Sequence, residues 1–446
     1  MRQSLVSTSQ SQRAERRSAL TSVTLAGAPL TFLLTGFAWL GISFLMGIAL
    51  IIGLVHGTPL PHWLKPVHVH GALVGGILQL GIGGLLLSIA PSSDRKDAYT
   101  QSRFALFLAL NGATAGLVVS FWLGNMTFAG LAGLFLVATV LSLTKTVWRD
   151  LGKALPEPAG TVWMYRIAFA ALLAGLTAGL AMAFRLTDGY YAHARLVHVH
   201  LIVLGGVTVA FVAGLHQLLP ALLHRPEISG HVARFALWSL PAGVGLLLSA
   251  FLMSAVWLEI IVGCLLIASI ALCTFHLLST WLKAGSPGTA ATDHLLLGAF
   301  FLLLTTTAGL AMAANYLRNP PLLPIGSLHL VAYTHLAFIG FITQVIFGGL
   351  SFFVPDLLAV TRVQNQAKRD VYRGQLDGIM NRWRSVQLAG MSLGTMALSV
   401  LASLTWSLPL GSPYVQSSVW VAGGLLVVSL ALFTAKLAWA VGLRPS

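Results

Sequence analysis

Charged residues are scarce in this chain. Only 9% of its 446 residues are Asp, Glu, Lys or Arg, whereas 57% are hydrophobic. A soluble protein of this size could not cover its surface with so few charges. Continuous apolar runs of about 18 or more residues recur along the whole length. Because only helices and closed barrels satisfy the backbone in lipid, the pattern predicts an all-α membrane protein. The net charge of +14 is then a matter of membrane topology and not of nucleic-acid binding.

Acidic residues and cysteines are also few. All 12 Asp and Glu residues fall in predicted loops or near span ends, and Glu259 is at the outer start of its span. A proton pathway through a bilayer usually needs a carboxylate at depth, so the sequence argues against a pump or a proton-coupled transporter. The two cysteines, Cys264 and Cys273, lie in one apolar run, too far apart on a helix to pair, and are predicted to be small buried hydrophobes.

Twelve apolar spans are predicted within a single membrane domain, residues 29–440, with tails at 1–28 and 441–446. With the N-terminus in the cytoplasm, 22 of the 26 Lys and Arg residues fall on the inner side, a count that includes Lys436 and Arg444. The outer loops carry the other four: Lys65, Arg185, Arg195 and Arg318. This bias follows the positive-inside rule. It predicts both termini in the cytoplasm of a bacterial-type inner membrane, with the spans in contact with lipid.

A short motif opens three of the spans. It reads His68-Val69-His70, His198-Val199-His200 and Tyr333-Thr334-His335. A glycine follows five residues after the last histidine in each copy (Gly75, Gly205 and Gly340), and a proline about 20 residues after it (Pro91, Pro220 and Pro355). The heptapeptide TAGLAMA also recurs, at 177–183 and 307–313. These signals predict a pseudo-threefold arrangement of four-helix repeats, at about 29–146, 165–281 and 292–440.

The motif places imidazoles in the outer half of the membrane. Neutral histidine is a ligand for haem iron, copper or zinc, and a haem can be held between facing helices by one histidine from each. The alternative is that each imidazole only forms a hydrogen bond between helices. Three copies of the motif in register argue against this alternative. The glycine of each motif permits either a close helix contact or the approach of a flat porphyrin.

The remaining histidines are not expected to form the main site. They divide into outer or interfacial residues (His56, His62 and His193), residues at the cytoplasmic boundary (His224, His231 and His294), and residues in the inner halves of spans (His216 and His276). His329 is left open.

Twelve spans with histidines at the outer ends of spans two, six and ten resemble subunit I of the haem-copper oxidase superfamily. The similarity extends to cbb3-type oxidases, nitric-oxide reductases and the NnrS family. The resemblance implies that His70 and His335 are the axial ligands of a low-spin haem b, and that His200 is a copper ligand.

The chain departs from that family at the second metal centre. Tyr333 replaces the histidine that binds the high-spin haem, and span seven, at 232–254, lacks the expected pair of adjacent histidines. Leu204 stands where many oxygen reductases have a tyrosine. His68, His198 and Tyr333 are therefore candidates for a different second haem or metal site, and whether copper is bound stays open.

The resemblance implies redox chemistry or electron transfer in a respiratory or nitric-oxide-linked membrane complex. The alternative is a non-enzymatic haem or metal protein that binds nitric oxide or protects against it. A transporter is a third reading, disfavoured by the missing buried carboxylates and the threefold repeat. Because the sequence has no attachment motif for haem c, electrons are expected from a partner subunit, a soluble cytochrome c-type protein or quinol.

Overall fold

The computed structural model describes residues 2–89, 96–154, 159–225 and 231–445. Within these ranges the chain is built from helices and contains no strand. Twelve of the helices are long and apolar enough to cross a membrane, which confirms the predicted number of spans. Pro91 lies outside the described residues.

Thirteen helices are numbered here in chain order, and a helix with a central π-helical turn counts as one. They are α1 (Arg2–His56), α2 (Leu64–His70, Gly71–Leu78 and Gln79–Ile89), α3 (Lys96–Trp122), α4 (Met126–Ala154), α5 (Ala159–Ala183), α6 (Tyr191–His200, Leu201–Thr208 and Val209–Leu222), α7 (His231–Leu252), α8 (Val256–Lys283), α9 (Ala290–Asn315), α10 (Ser327–His335, Leu336–Thr343 and Gln344–Arg362), α11 (Gln366–Asn381), α12 (Arg384–Leu404) and α13 (Pro413–Gly442).

The first helix is longer than the first predicted span. Its apolar stretch, Pro29–His56, matches the predicted span closely, but the helix itself begins at Arg2. The segment predicted as an N-terminal tail therefore continues the same helix from residue 2. The division of residues 29–440 into three repeats stays a prediction.

Each motif is followed at once by a π-helix. The segments Gly71–Leu78, Leu201–Thr208 and Leu336–Thr343 are each eight residues long, and each begins directly after the last histidine of its motif. Fewer than about 1% of residues in proteins are π-helical, and such turns are frequent at functional sites. The same rare local structure thus recurs at the same register position in α2, α6 and α10, as a repeat would require.

The glycine of each motif lies against the preceding helix. A Cβ atom on Gly75 would approach Trp39 Cγ to 2.6 Å, one on Gly205 would approach Ala171 Cβ to 2.8 Å, and one on Gly340 would approach Phe301 Cδ1 to 2.5 Å. Distances below about 3 Å leave no room for a side chain. The close helix contact, rather than the approach of a flat ligand, accounts for these three glycines.

The amphipathic helix α11 is not one of the candidate spans, and it marks one end of the bundle. Its Tyr372 and Leu376 are buried, and the Tyr372 hydroxyl donates to the Leu443 carbonyl at 2.6 Å, beyond the end of α13. Asn381, the last residue of α11, accepts from the backbone N–H of Ala290 at the start of α9. This "α11 end" is the one that the charge distribution predicts to be cytoplasmic. The motifs lie near the opposite, "motif end".

Candidate functional site

The first histidine of each His-Val-His motif is tied to the helix before it. Nδ1 of His68 donates to the Ser43 carbonyl of α1 at 2.6 Å, and Nδ1 of His198 donates to the Gly175 carbonyl of α5 at 2.7 Å. Both rings therefore have a fixed orientation between two helices, and the hydrogen bond that was considered as the alternative to ligation is present.

In each of the three motifs, the first side chain packs against a glycine of the preceding helix. A Cβ on Gly47 or Gly179 would lie 2.8 Å from Cε1 of His68 or His198, and a Cβ on Gly309 would lie 3.0 Å from the hydroxyl of Tyr333. Gly179 and Gly309 are the glycines of the two TAGLAMA heptapeptides. The motif and the heptapeptide, the two repeated sequences, therefore pack against each other. In the first set, which lacks the heptapeptide, Gly47 takes this role.

The second histidine of each motif bonds within its own helix. Nδ1 of each ring donates to the carbonyl oxygen four residues earlier, at 2.7 to 2.9 Å. The pairs are His70 with Pro66, His200 with Leu196, and His335 with Val331. Because this bond holds the imidazole along the helix axis, the other ring nitrogen projects away from its own backbone.

These contacts define the chemistry of the five motif histidines. A carbonyl oxygen can only accept, so Nδ1 carries the hydrogen in each ring. In the neutral imidazole, Nε2 then holds the lone pair. Metal-bound histidines almost always donate their other ring nitrogen to a carbonyl or carboxylate, which fixes the tautomer and raises the basicity of the ligand. All five rings therefore have the tautomer in which Nε2 can act as a ligand.

Histidines from different motifs are neighbours. The ring of His335 lies within range of a direct electrostatic interaction with that of His68, and the ring of His70 lies within such range of His198. The first pair joins α10 to α2, and the second joins α2 to α6. The pairing of His70 with His335 stays a prediction, and His68 becomes a second candidate for the same place.

The fit to a cofactor depends on how many protein ligands it needs. In the part of the chain that the structure describes, no group of three or more His, Cys, Asp or Glu side chains could hold a metal ion. A haem requires only one or two axial ligands, because the porphyrin supplies the other four nitrogens. Two neighbouring histidines whose Nε2 atoms carry lone pairs meet that requirement, whereas the predicted copper role of His200 finds no assembled ligand set in the described residues.

Sequence comparison assigns the chain to no family. No protein-family model matches it, and no curated protein matches it significantly.

Aromatic rings stand beside two of the second-position histidines. Phe121 at the end of α3 has its ring centroid 4.4 Å from that of His70, and Phe251 at the end of α7 lies 4.6 Å from His200. Lys65 and Arg195, both exposed, precede His68 and His198 by three residues. These two cations of the motif end would be available to pair with the carboxylate substituents of a bound cofactor.

Sequence reasoning did not reveal the burial of His294 and Lys436. His294 was expected at the cytoplasmic boundary and Lys436 was counted among the inner-loop charges, yet the two are 0% and 2% exposed. Lys436 lies in the last helix, six residues before its end at Gly442. One signal could have revealed it, namely a single lysine inside an apolar run of a predicted span.

Two glutamines in register have opposite surroundings. Gln79 and Gln344 each lie nine residues after the last histidine of their motif, and both are 0% exposed. Gln344 contacts His294 and donates to Ser392 at 3.3 Å. Neither polar atom of the Gln79 side chain has a hydrogen-bond partner. The third motif helix thus joins a polar cluster that has no counterpart at this position of the first.

Proposed function

We propose that this chain is a membrane-embedded haem protein that carries out redox chemistry or electron transfer, with haem b held by histidines of the motif end. The single observation that carries the proposal is the common state of the five motif histidines. Each has Nδ1 bound to a backbone carbonyl and Nε2 left with its lone pair. His216 makes the same kind of bond, so the proposal draws its support from the repetition of this state in register, at one end of the bundle, in three motif helices.

The axial ligands are proposed to come from α10 and α2. His335 supplies one, and its neighbour His68 or the predicted partner His70 supplies the other. The bound iron would supply one-electron chemistry. The protein's part is to fix each imidazole through its Nδ1 bond and to keep both ligands neutral within an apolar bundle. Electrons would be exchanged with a partner subunit, a cytochrome c-type protein or quinol in a respiratory or nitric-oxide-linked complex.

Absorption spectroscopy of the purified protein tests this proposal. The reduced protein is expected to show the sharp bands of a low-spin haem b. His335→Ala should abolish them, and so should only one of His68→Ala and His70→Ala, which identifies the second ligand. His216→Ala is the matched control, because Nδ1 of His216 makes the same bond to the carbonyl four residues earlier, in the inner part of α6. A preparation without haem contradicts the proposal. So do low-spin bands that survive the combined loss of His68, His70 and His335.

A gas-binding role is the second candidate. The third motif has Tyr333 where the other two have histidine, so the three copies cannot all form histidine pairs. A haem with one histidine ligand keeps an open position for nitric oxide. Spectral shifts on addition of nitric oxide without turnover would favour this role, whereas turnover with a reductant would favour the first. Copper analysis of the same sample tests whether copper is bound at His200 despite its incomplete ligand set.

A further inference from the structure

A buried polar cluster joins four helices toward the α11 end, and its member nearest in sequence to a motif is Gln344, nine residues after His335. It consists of His294 on α9, Gln344 on α10, Gln387 on α12 and Lys436 on α13, all between 0% and 2% exposed. The rings of Phe347 and Phe433 stack at 3.9 Å beside it, and both meet His294 edge-on. An ionisable group buried in a membrane domain is costly and is usually retained for a function.

The direction of every hydrogen bond in the cluster follows from Lys436. A charged ammonium group can only donate, so the atom that it contacts at 2.6 Å is the amide oxygen of Gln387. The amide nitrogen of Gln387 then donates to Nε2 of His294 at 2.7 Å. That nitrogen must accept, so His294 is neutral, and its Nδ1–H donates to the amide oxygen of Gln344.

Among the residues that the structure describes, no carboxylate contacts Lys436. The lysine's second contact is the carbonyl oxygen of Met380, at 3.1 Å, which is also neutral. The charged groups nearest in sequence on the packed elements are engaged elsewhere. Asp293 pairs with Arg384 at 3.6 Å, Asp377 lies 3.8 Å from Arg373, and Arg382 stacks over Trp439. The cluster as a whole therefore carries one positive charge.

The same contacts are satisfied by a second arrangement with the same charge. If His294 is an imidazolium, both of its nitrogens donate, so Gln387 must turn its amide oxygen toward Nε2. The amide nitrogen of Gln387 then faces Lys436, and it can donate only to a neutral amine, whose lone pair accepts. One N–H bond has been lost at Lys436 and one gained at His294, with no change in electrons or net charge.

From this we infer that the cluster is a proton-binding site that holds one excess proton, on either Lys436 or His294, and that the amide of Gln387 rotates with it. Both residues cannot be charged at once, because Gln387 has only one oxygen to offer between them. The site lies at the end of α13 that reaches α11, where Lys436 is three residues from the exposed Trp439 and in direct contact with the α11 backbone. The inference does not depend on haem.

Nitrogen-15 NMR of the full chain labelled on histidine tests this inference, because ring nitrogens that carry hydrogen are distinguished from those that do not. The His294 signal is assigned by its loss in His294→Gln. In the unchanged protein near neutral pH it should report Nδ1–H and a bare Nε2. Lys436→Met leaves Gln387 free to turn, so the midpoint of His294 protonation should rise by about one pH unit or more. Lys436→Arg keeps the charge, so His294 should stay neutral.

Gln387→Glu supplies an independent readout if Lys436→Met does not fold. A carboxylate accepts from both sides, so His294 must present a hydrogen on Nε2. Lys283→Met is the matched control, because it removes an exposed lysine from the end of α8 and should leave the His294 signal unchanged. An Nε2–H form of His294 in the unchanged protein, an unchanged signal in Gln387→Glu, or equal His294 titrations in Lys436→Met and Lys436→Arg would overturn the inference.

Discussion

Nδ1 of His198 lies 2.7 Å from the carbonyl oxygen of Gly175, and Gly179, one turn further along α5, gives the same ring its space. The helix that precedes a His-Val-His motif thus supplies two things to the first histidine of that motif: the carbonyl that accepts its hydrogen bond, and the glycine that leaves room for its ring. Ser43 and Gly47 repeat this arrangement for His68 on α1. Small residues let transmembrane helices approach closely, and here the approach also orients an imidazole.

Gly47→Ala should displace His68. The added Cβ would lie 2.8 Å from Cε1 of the ring, so either the helices separate or the bond to Ser43 is lost. We expect destabilisation by about 1–3 kcal/mol, as for other overpacked sites. Gly41→Ala on the same helix meets no atom within 4 Å and should be neutral or slightly stabilising. Thermal unfolding in detergent measures both, and equal melting temperatures would contradict the packing argument.

Gly340→Ala should destabilise the π-helical part of α10. Its Cβ would lie 2.5 Å from Cδ1 of Phe301, a ring that is 2% exposed and has little room to move. The expected loss is again about 1–3 kcal/mol. Gly349→Ala, in the same helix, makes only ordinary contacts at 3.7 Å with Phe353 and serves as the control. The comparison uses thermal or denaturant unfolding, and a control as damaging as Gly340→Ala would sink the explanation.

Gln79→Leu and Gln344→Leu should have opposite effects. The Gln79 amide is buried without a partner, so its removal should stabilise the protein by about 1–3 kcal/mol. Removal of the Gln344 amide takes a partner from His294 and Ser392 and should destabilise by a similar amount. The two variants are matched in chemistry and register. Destabilisation by Gln79→Leu in unfolding experiments would mean that this amide has a partner in the membrane.

Asp377→Asn on α11 should raise stability at neutral pH. Burial raises the pKa of Asp377; Arg373 partly opposes the shift, and Asp356 adds to it. The folded state therefore binds this proton more tightly than the unfolded state, and the carboxyl's contribution to stability falls as pH rises through the raised pKa. The gain from Asn should be below about 1 kcal/mol, because the group is partly exposed, and it should vanish in acid. Unfolding experiments over a range of pH measure this, with Asp370→Asn, at an exposed position of the same helix, as the control for loss of a carboxylate from α11.

Apolar run length was enough to predict the twelve spans, since each helix must cross the same thickness of lipid. The motif histidines were found because their register repeats. Their hydrogen-bond partners were not, since Ser43 and Gly175 contribute only backbone carbonyls, which every residue has. The π-helices were not predicted either, because an α-turn and a π-turn of apolar residues have the same composition. The burial of Lys436 was not predicted, because a lysine near a span end fits the positive-inside rule equally well whether its side chain reaches water or turns inward.

The burial of Lys436 has a consequence for how the chain enters the membrane. A lysine at the centre of a helix opposes insertion of that helix by about 2.5–3.5 kcal/mol when the helix enters lipid alone, and one nearer the end, as Lys436 is, opposes it by less. The acceptors of Lys436 are Gln387 on α12 and the Met380 carbonyl of α11, and both precede α13 in the order of synthesis. The last helix of the chain is therefore inserted against a surface that already exists.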